Sequence, residues 1–545
     1  MMHRIVAFFR RYPWIISMII LAILIIPAAR AHELWGDEAE TALFARNILK
    51  YGVPKGWDGT NIMGINNAVV LDKNLINHTS PWAQYYMVAA SFALFGQSSV
   101  TARIPSILLS LVSIPLLYYL ARKLTGNTRM AFIATLIAAL SVQGILFGYQ
   151  ARYYQLTNVC GLLFLWASVE LLERCFWPRI GFVLSGVIFY YANYVSWTVF
   201  YVATLIGVGI FIWIKKGKAN VIPFLREYFI LTIPIIVLAA PWHVIMHPFG
   251  DRGTVSLFPL SDTFISFIYL LKEAWRPFHT VGAFPLGLGI VLGVISIVQL
   301  KKRTLDPVLV LLTSVPVLYV TGMSIVATIA YVDTTFSHPR YTTVALPLFF
   351  LLAAYAWDRV LHWNRWVGIM CIALFLTTTL FSFGALRSYL SLLIHEIIAP
   401  YQTPEIVVAQ YLKDHAKRGD TAFVSLDRDH EPLIFHLHDH IRFVNRVPLI
   451  NSRIFPQNRG VIPRYIYDFR SEPDWIVMYS KRGEDGTFFT SDFRGLWPEV
   501  DLGDYVEHAL PIFFSDLSRP EIEMRSFTGV TSPAPIDYVY IYKKK

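Results

Sequence analysis

The chain has 545 residues, 55% of them hydrophobic and only 15% charged, with a mean hydropathy of +0.48. Soluble domains carry roughly 25% charged residues, so a mainly soluble protein is excluded. The 15% aromatic content, 31 glycines without period and three cysteines (Cys160, Cys175, Cys371) in or beside apolar runs also exclude disorder, collagen, a disulfide scaffold and a thiolate metal site.

A bilayer crossing takes ~20 largely apolar residues, because backbone N–H and C=O groups must pair inside the segment. The first such run, Trp14 to Ala29, follows His3, Arg4, Arg10 and Arg11. It lacks a convincing small-residue cleavage site before the acidic segment that follows, so it reads as an anchor and not as a removed signal peptide. Further runs lie near Thr101–Ala121, Met130–Phe147, Leu156–Leu172, Ile180–Val195, Ser196–Ile214, Tyr228–Ile245, Val281–Leu300, Pro307–Thr328, Tyr341–Leu361 and Trp366–Leu386. The stretch Ile180–Ile214 exceeds one crossing and predicts a hairpin near Asn193.

Lys and Arg collect on the cytoplasmic side of membranes, and this rule fixes the shorter run Trp82–Phe95. As an interfacial helix it leaves Arg122/Lys123/Arg129, Glu173/Arg174/Arg179, Lys215/Lys216/Lys218, Lys301/Lys302/Arg303 and Asp358/Arg359/Arg365 all cytoplasmic. The result is about eleven crossings with a cytoplasmic N-terminus. The formal charge of +10 is thereby explained by loop placement, with no nucleic-acid partner. Phe264–Phe278 is a second candidate interfacial helix.

The expected fold is thus a polytopic α-helical membrane protein over 1–390, with a long first outer loop over 30–99. A small extracytoplasmic α/β domain follows over 400–545. In that tail Glu405–Ala416 has helical apolar spacing, while Thr421–Ser425 and Trp475–Tyr479 read as buried strands. His436, His438 and His440 alternate, and on a strand they would share one face, with Asp427 and His430 upstream. A solvated strand with incidental histidines accounts for them better than a zinc site.

Two sets of residues carry chemistry. Directly after the first span, His32-Glu33-Leu34-Trp35-Gly36-Asp37-Glu38-Ala39-Glu40 runs into a short amphipathic helix marked by Leu43, Phe44, Ile48 and Leu49 and stopped by Gly52. Asp37 is expected at its N-cap; a carboxylate at the outer mouth of a bundle is also where an acceptor hydroxyl can lose its proton. Asp37 and Glu40, three apart on one helical face, would suit a hard divalent cation. The second set is cationic: Lys73 and His78 before the interfacial helix, Arg152 in GYQARYYQL with Tyr153, and His338 and Arg340 in FSHPRYTTVALP with Tyr341. Ionisable groups at membrane depth are functional candidates, and the arginine fork suits a lipid phosphate. Arg103, at the start of a span, belongs to the same cationic set, although taken alone it reads better as an interfacial anchor.

The order W-G-D-E-A-x-x-A-x-x-A-R-N-I-L, H-x-S-P-W-x-x-Y-Y, F-G-x-S-x-x-x-A-R-I-P-S, A-R-Y-Y-x-L, P-W and P-R-Y-x-x-x-x-L-P resembles the polyprenyl-phosphate-sugar glycosyltransferases of the GT-C superfamily over residues 30–360. Its nearest groups there are the family-39-like protein mannosyltransferases and the lipid A aminoarabinose transferases. The general mannosyltransferase-like group fits better, because A-R-Y-Y stands near Tyr154–Gln155 where the aminoarabinose transferases carry an acid.

The resemblance implies inverting transfer of one sugar from a polyprenyl phosphate to an acceptor on the outer side of the plasma (inner) membrane. The acceptor would be a lipid, glycan or protein. It implies Asp37 as catalytic base with Glu38 beside it, and His78 at the donor phosphate, where Thr79-Ser80-Pro81 replaces the usual doubled proline. Lys73, Arg152, Tyr153, Arg340 and Tyr341 complete the donor-phosphate set. No cofactor is required on this reading, with a divalent cation at Asp37 and Glu40 as the open alternative. The competing function is a lipid or sugar transporter or flippase of the same topology. It would place ionisable groups near mid-bilayer in two related halves, which this sequence does not show.

Overall fold

A computed structural model describes residues 8–9, 11–31, 33–63, 71–72, 74–78, 80–173, 175–246, 305–330, 339–370, 389–398, 404–424, 431–443, 472–478, 502–512 and 537–545, with isolated positions at 264, 268, 295, 298, 299 and 373. Lys73, His338, Asp427, His430 and the expected elements Phe264–Phe278 and Val281–Leu300 lie outside the described residues or nearly so, as does most of Trp366–Leu386.

In chain order the helices are α1 (Trp14–Ala31), α2 (Gly36–Tyr51), α3 (Ala83–Phe95), α4 (Ser99–Thr125), α5 (Thr128–Leu140), α6 (Val142–Tyr149), α7 (Tyr154–Glu170), α8 (Phe176–Ala192), α9 (Tyr194–Lys216), α10 (Val221–Met246), α11 (Pro307–Ala330) and α12 (Leu346–Trp363). The tail adds α13 (Tyr389–Ile398), α14 (Pro404–His415) and α15 (Glu431–Leu437), with five strands: β1 (Thr421–Val424), β2 (Arg442–Phe443), β3 (Trp475–Met478), β4 (Tyr505–Ile512) and β5 (Asp537–Lys544). Among the described residues seven helical stretches are long and apolar enough to cross a membrane, and eight if α5 and α6 count as one. The protein is a multi-pass membrane protein. By internal contacts the chain forms two compact units: described residues up to 29 with 106–245 and 305–397, and residues 30–105 with 398–545.

The first unit is the helical bundle. Its helices are apolar on the outside as well as the inside, as lipid requires. Along α10, Phe229, Ile233 and Val237 form an exposed stripe while Tyr228, Ile235 and Trp242 are buried. Contact between α9 and α11 depends on small residues: a Cβ on Gly207 would lie 2.5 Å from Val315 Cγ2, and one on Gly322 would lie 2.6 Å from Val199 Cγ1. The hairpin near Asn193 is present. Asn193 leaves helical geometry after α8, and its side chain accepts from Ser196 N at 2.9 Å to start α9.

The run Met130–Phe147 is not the single straight span that its composition predicts. Ser141 takes an extended conformation (ψ 118°), its hydroxyl accepts from Gly144 N at 3.2 Å, and α5 and α6 meet at 65°. Several basic loops expected on one side do gather at one end of the bundle, in ion pairs. Lys123 meets Glu170 at 2.7 Å, Arg129 meets Asp358 at 2.7 Å, and Arg359 meets Asp306 at 2.8 Å.

In the second unit the sheet order is β2-β1-β3-β5-β4, with β1 parallel to β2 and β3, and β5 antiparallel to β3 and β4. The central strands are continuous apolar runs because both faces are covered; Trp475, Ile476, Val477 and Met478 are all buried. Asp474 fixes the β1–β3 register by accepting from both Thr421 N and Thr421 Oγ1 at 2.8 Å.

Residues 30–105 fold into this same unit. Asn61 satisfies the edge strand β2 from outside: its amide donates to Ile441 O at 3.1 Å and accepts from Phe443 N at 2.7 Å. Phe92 of α3 stacks on Phe435 of α15. The histidine stretch departs from the strand expectation. His436 is in α15, and His438 and His440 lie in the turn that follows. Buried Leu433, Ile434 and Leu437 impose a helical period there, so the three imidazoles do not line one face. Among the described residues no group of three or more His, Cys, Asp or Glu side chains converges as a metal site would.

Candidate active site

The helix carrying the proposed base starts earlier than its sequence suggests. Trp35 occupies the N-cap in an extended conformation, which puts Asp37 in the first turn instead of at the cap. The N-terminal turn of a helix favours a carboxylate through its exposed N–H groups and dipole. Asp37 is half-buried, and its carbonyl accepts Thr41 Oγ1 at 3.0 Å. At the other end Gly52 takes a left-handed conformation (φ +77°) and donates to Ile48 O, so a residue with a Cβ would be strained there. Between these ends the helix is sunk in protein, not laid on a surface: Glu38 to Ile48 are all buried.

Glu38 and Glu40 are therefore buried acids, and Glu38 has a built partner. Arg103 of α4 is wholly buried, with its Nε 2.8 Å from Glu38 Oε1 and its Nη2 on Glu38 Oε2. The same Nη2 also donates to Glu33 O at 2.9 Å. Arg103 is thus no interfacial anchor: it is wholly buried, and its Nε and Nη2 engage the two residues that flank the start of α2. The Glu33 carboxylate accepts from Ser99 Oγ, at the first turn of α4.

The far side of α2 is held by Arg46, whose Nη1 donates to Phe435 O at 3.2 Å and whose Nη2 lies 3.5 Å from Asp58 Oδ2. Burial lowers the Arg46 pKa, while Asp58 and Asp439 oppose that shift. His78 is buried beside a compact turn: Ser80 N donates to Asn77 Oδ1 at 3.1 Å, and Trp82 Nε1 donates to Asn77 O at 2.8 Å.

The cations Arg152 and Arg340 belong to the first unit, with their tyrosines. Arg152 sits on the link between α6 and α7, half-buried, with its guanidinium carbon 5.8 Å from the Tyr153 ring. Arg340 lies on the 3-10 segment Pro339–Ala345, 5.2 Å from the Tyr341 ring, and Tyr341 O accepts from Tyr319 Oη at 2.9 Å. That segment packs on α7, where a Cβ at Gly161 would be 3.2 Å from Val344 Cγ1. The structure therefore brings Asp37, Glu38 and Arg103 together in one unit, and places Arg152 and Arg340 on neighbouring elements of the other.

Comparison with known proteins gives three likenesses. The family model described as dolichyl-phosphate-mannose-protein mannosyltransferase matches residues 79–243. An undecaprenyl phosphate-alpha-4-amino-4-deoxy-L-arabinose arabinosyl transferase 2 of Pseudomonas fluorescens (strain Pf0-1) is 24% identical over 250 residues, which is 43% of this chain and 40% of that protein. The chain thus aligns with about two fifths of that relative's length. Crystal structures of ArnT from Cupriavidus metallidurans, bound to undecaprenyl phosphate and in the apo state, superpose over 97–98% of this chain and 98% of theirs. Their TM-scores are 0.59 and 0.57, at 12% identity. The chain adopts the GT-C fold.

Within this fold, sequence reasoning missed Ser99 and Arg46, and the tie from Glu33 to Ser99, as parts of the architecture around Asp37. Arg46 had a visible mark, a cation inside the apolar helical window Ala42–Ile48. Ser99 had none, because its partner is 66 residues away in the chain.

Proposed function

We propose that the protein is an integral-membrane inverting glycosyltransferase that moves a single sugar from a polyprenyl-phosphate donor to an acceptor hydroxyl or phosphate of a lipid, glycan or protein. The outer face of the plasma (inner) membrane is the proposed site of reaction, with the N-terminus cytoplasmic and the tail outside. The observation that carries this reading is Asp37, half-buried in the first turn of a helix that the buried Glu38–Arg103 pair holds in place. A proton acceptor needs that kind of support to stay in productive geometry. The matched family and relatives, by their names, use prenyl-phosphate-linked mannose or aminoarabinose; the pentose-or-hexose choice is left to the assay.

In the proposed reaction the acceptor oxygen attacks C1 from the face opposite the phosphate. The C1–O bond breaks with its electron pair going to the phosphate oxygen, and Asp37 takes the acceptor's proton. A polyprenyl phosphate leaves as a stabilised anion, so no general acid is needed. His78, Lys73, Arg152 and Arg340 are assigned to its charge, with Tyr153 and Tyr341 stacked beside the two arginines. Glu38, committed to Arg103, is assigned to holding the helix.

Purified protein incubated with labelled undecaprenyl-phosphate aminoarabinose or polyprenyl-phosphate mannose, and an acceptor lipid, is expected to release polyprenyl phosphate. A transporter would leave the donor intact, and that result would sink the proposal. The reaction is proposed to need no divalent cation, so turnover should be unchanged in EDTA; loss restored by Mg²⁺ would assign Asp37 and Glu40 to a metal instead. Arg152→Gln and Arg340→Gln are each expected to lower kcat/KM for the donor by about tenfold to a hundredfold, the range for one charge-assisted hydrogen bond to an anion. Equal loss with donors lacking the phosphate charge would remove that assignment.

A further inference from the structure

A titratable side chain of the tail reaches the entry to α2, the helix that carries Asp37. His436 of α15 has its Nε2 3.7 Å from Glu33 Oε2, too far for a hydrogen bond and close enough for an ion pair. That same oxygen accepts the Ser99 hydroxyl, while the Glu33 carbonyl accepts Arg103, the residue that grips Glu38. Glu33 is therefore a junction: its carboxylate ties the start of α2 to α4 at Ser99, and its only other charged neighbour at ion-pair distance among the described residues is an imidazole from the tail.

We propose that His436 positions Asp37 in a pH-dependent way through Glu33: its neutral imidazole leaves the Glu33–Ser99 tie intact, and its imidazolium draws Glu33 away. This rests on the reading of Asp37 as base. A neutral imidazole leaves the Glu33 carboxylate to Ser99. An imidazolium would take that carboxylate in a charge-assisted hydrogen bond, which is stronger than the hydroxyl's, and so pull on the segment that enters α2.

The charged and titratable groups around His436 are Glu33 from the entry to α2, Arg46 from α2 and Lys413 from α14, with His438 and Asp439 following on the turn and Asp58 facing Arg46. Burial is the largest influence on His436 and lowers its pKa; Glu33 opposes this, and Lys413 and Arg46 add to it. The sign is consistent with a neutral ring at neutral pH, which gains its proton only as the medium becomes acidic.

The test is hydrogen exchange of the Gly36–Phe44 amides in the full-length protein in detergent, at about pH 7.5 and about pH 5, corrected for the intrinsic rate of exchange. In the wild type, protection is expected to fall about threefold or more on acidification, as the imidazolium forms. In His436→Gln, which cannot titrate, and in Glu33→Gln, which offers no charge to draw, protection should change little with pH. A packing role alone would shift protection equally at both pH values, and the same acid response in wild type and His436→Gln would overturn the proposal. Transfer assays on the same proteins separate it from the base assignment. An active Asp37→Asn protein defeats the base assignment and leaves the exchange result standing, whereas an inactive one with no His436-dependent acid response defeats only this inference.

Discussion

Asp37→Asn is expected to lower the rate of sugar transfer by about 10²–10⁴-fold, the range that a positioned general base supplies, while the protein still inserts and folds. Asparagine keeps the size of the side chain and a hydrogen-bonding carbonyl in the first turn of α2, so the helix should be little disturbed. The fixed points of that helix lie elsewhere, at Glu38, Arg46 and the Gly52 stop. What the substitution removes is the capacity to accept a proton from a hydroxyl whose own acidity is far too low for attack at neutral pH. The loss should therefore appear in kcat, with the donor KM nearly unchanged. Glu40→Gln supplies the comparison: one turn away and buried, it should leave the rate within a few-fold if no metal bridges the two acids. Normal transfer by Asp37→Asn would end the assignment; a large loss in Glu40→Gln as well would turn attention to a cation.

The membrane-spanning part was legible in the sequence because lipid imposes a composition as well as a period. Runs such as Trp14–Ala31 and Pro307–Val326 carry their own hydrogen bonds and their own solvent preference, so each announces itself without its neighbours. The buried strands Thr421–Val424 and Trp475–Met478 were legible for the same reason, being apolar on both faces. The break at Ser141 was not, since a serine in an apolar window is compatible with a straight helix. Its conformation depends on the hydroxyl finding Gly144 N. The strand reading of His436–His440 failed because alternation of two residue types over five positions does not outweigh Leu433, Ile434 and Leu437 packing at helical spacing.

At the candidate site the division is similar. Local spacing found α2, its Gly52 stop and the cluster of acids, since each rests on residues within one helix. The N-cap was misplaced by two residues, because Asp37 is a good capping residue and the extended Trp35 gives no chemical sign of its role. Arg103 was misread for a different reason: the cue for an interfacial anchor and the cue for a buried clamp are the same arginine at the same helical position. What separates them is whether an acid waits across the interface, and Glu38 is 65 residues distant in the chain.

That clamp yields the second large effect. Glu38→Ala and Arg103→Ala should each destabilise the folded protein by about 3–5 kcal/mol, because removing one member of a buried ion pair strands the other charge where water cannot reach it. Both side chains are fully buried, and the arginine holds both carboxylate oxygens, so no solvent screening softens the loss. Arg103→Lys should recover only part of the stability: a single ammonium cannot span two oxygens and the Glu33 carbonyl together. Replacing both residues with apolar ones, Glu38→Leu with Arg103→Met, should restore most of it, since two well-packed apolar chains avoid the desolvation of both charges. Thermal unfolding of the full-length protein in detergent, followed by tryptophan fluorescence, measures all four. Transfer measured on the double variant then asks what the pair is for. A stable double variant with a rate reduced tenfold or more, at unchanged donor KM, would mean that the ion pair fixes the direction in which Asp37 faces. A stable and fully active one would mean that it serves folding alone, and that the base is held by Thr41 and the remainder of α2.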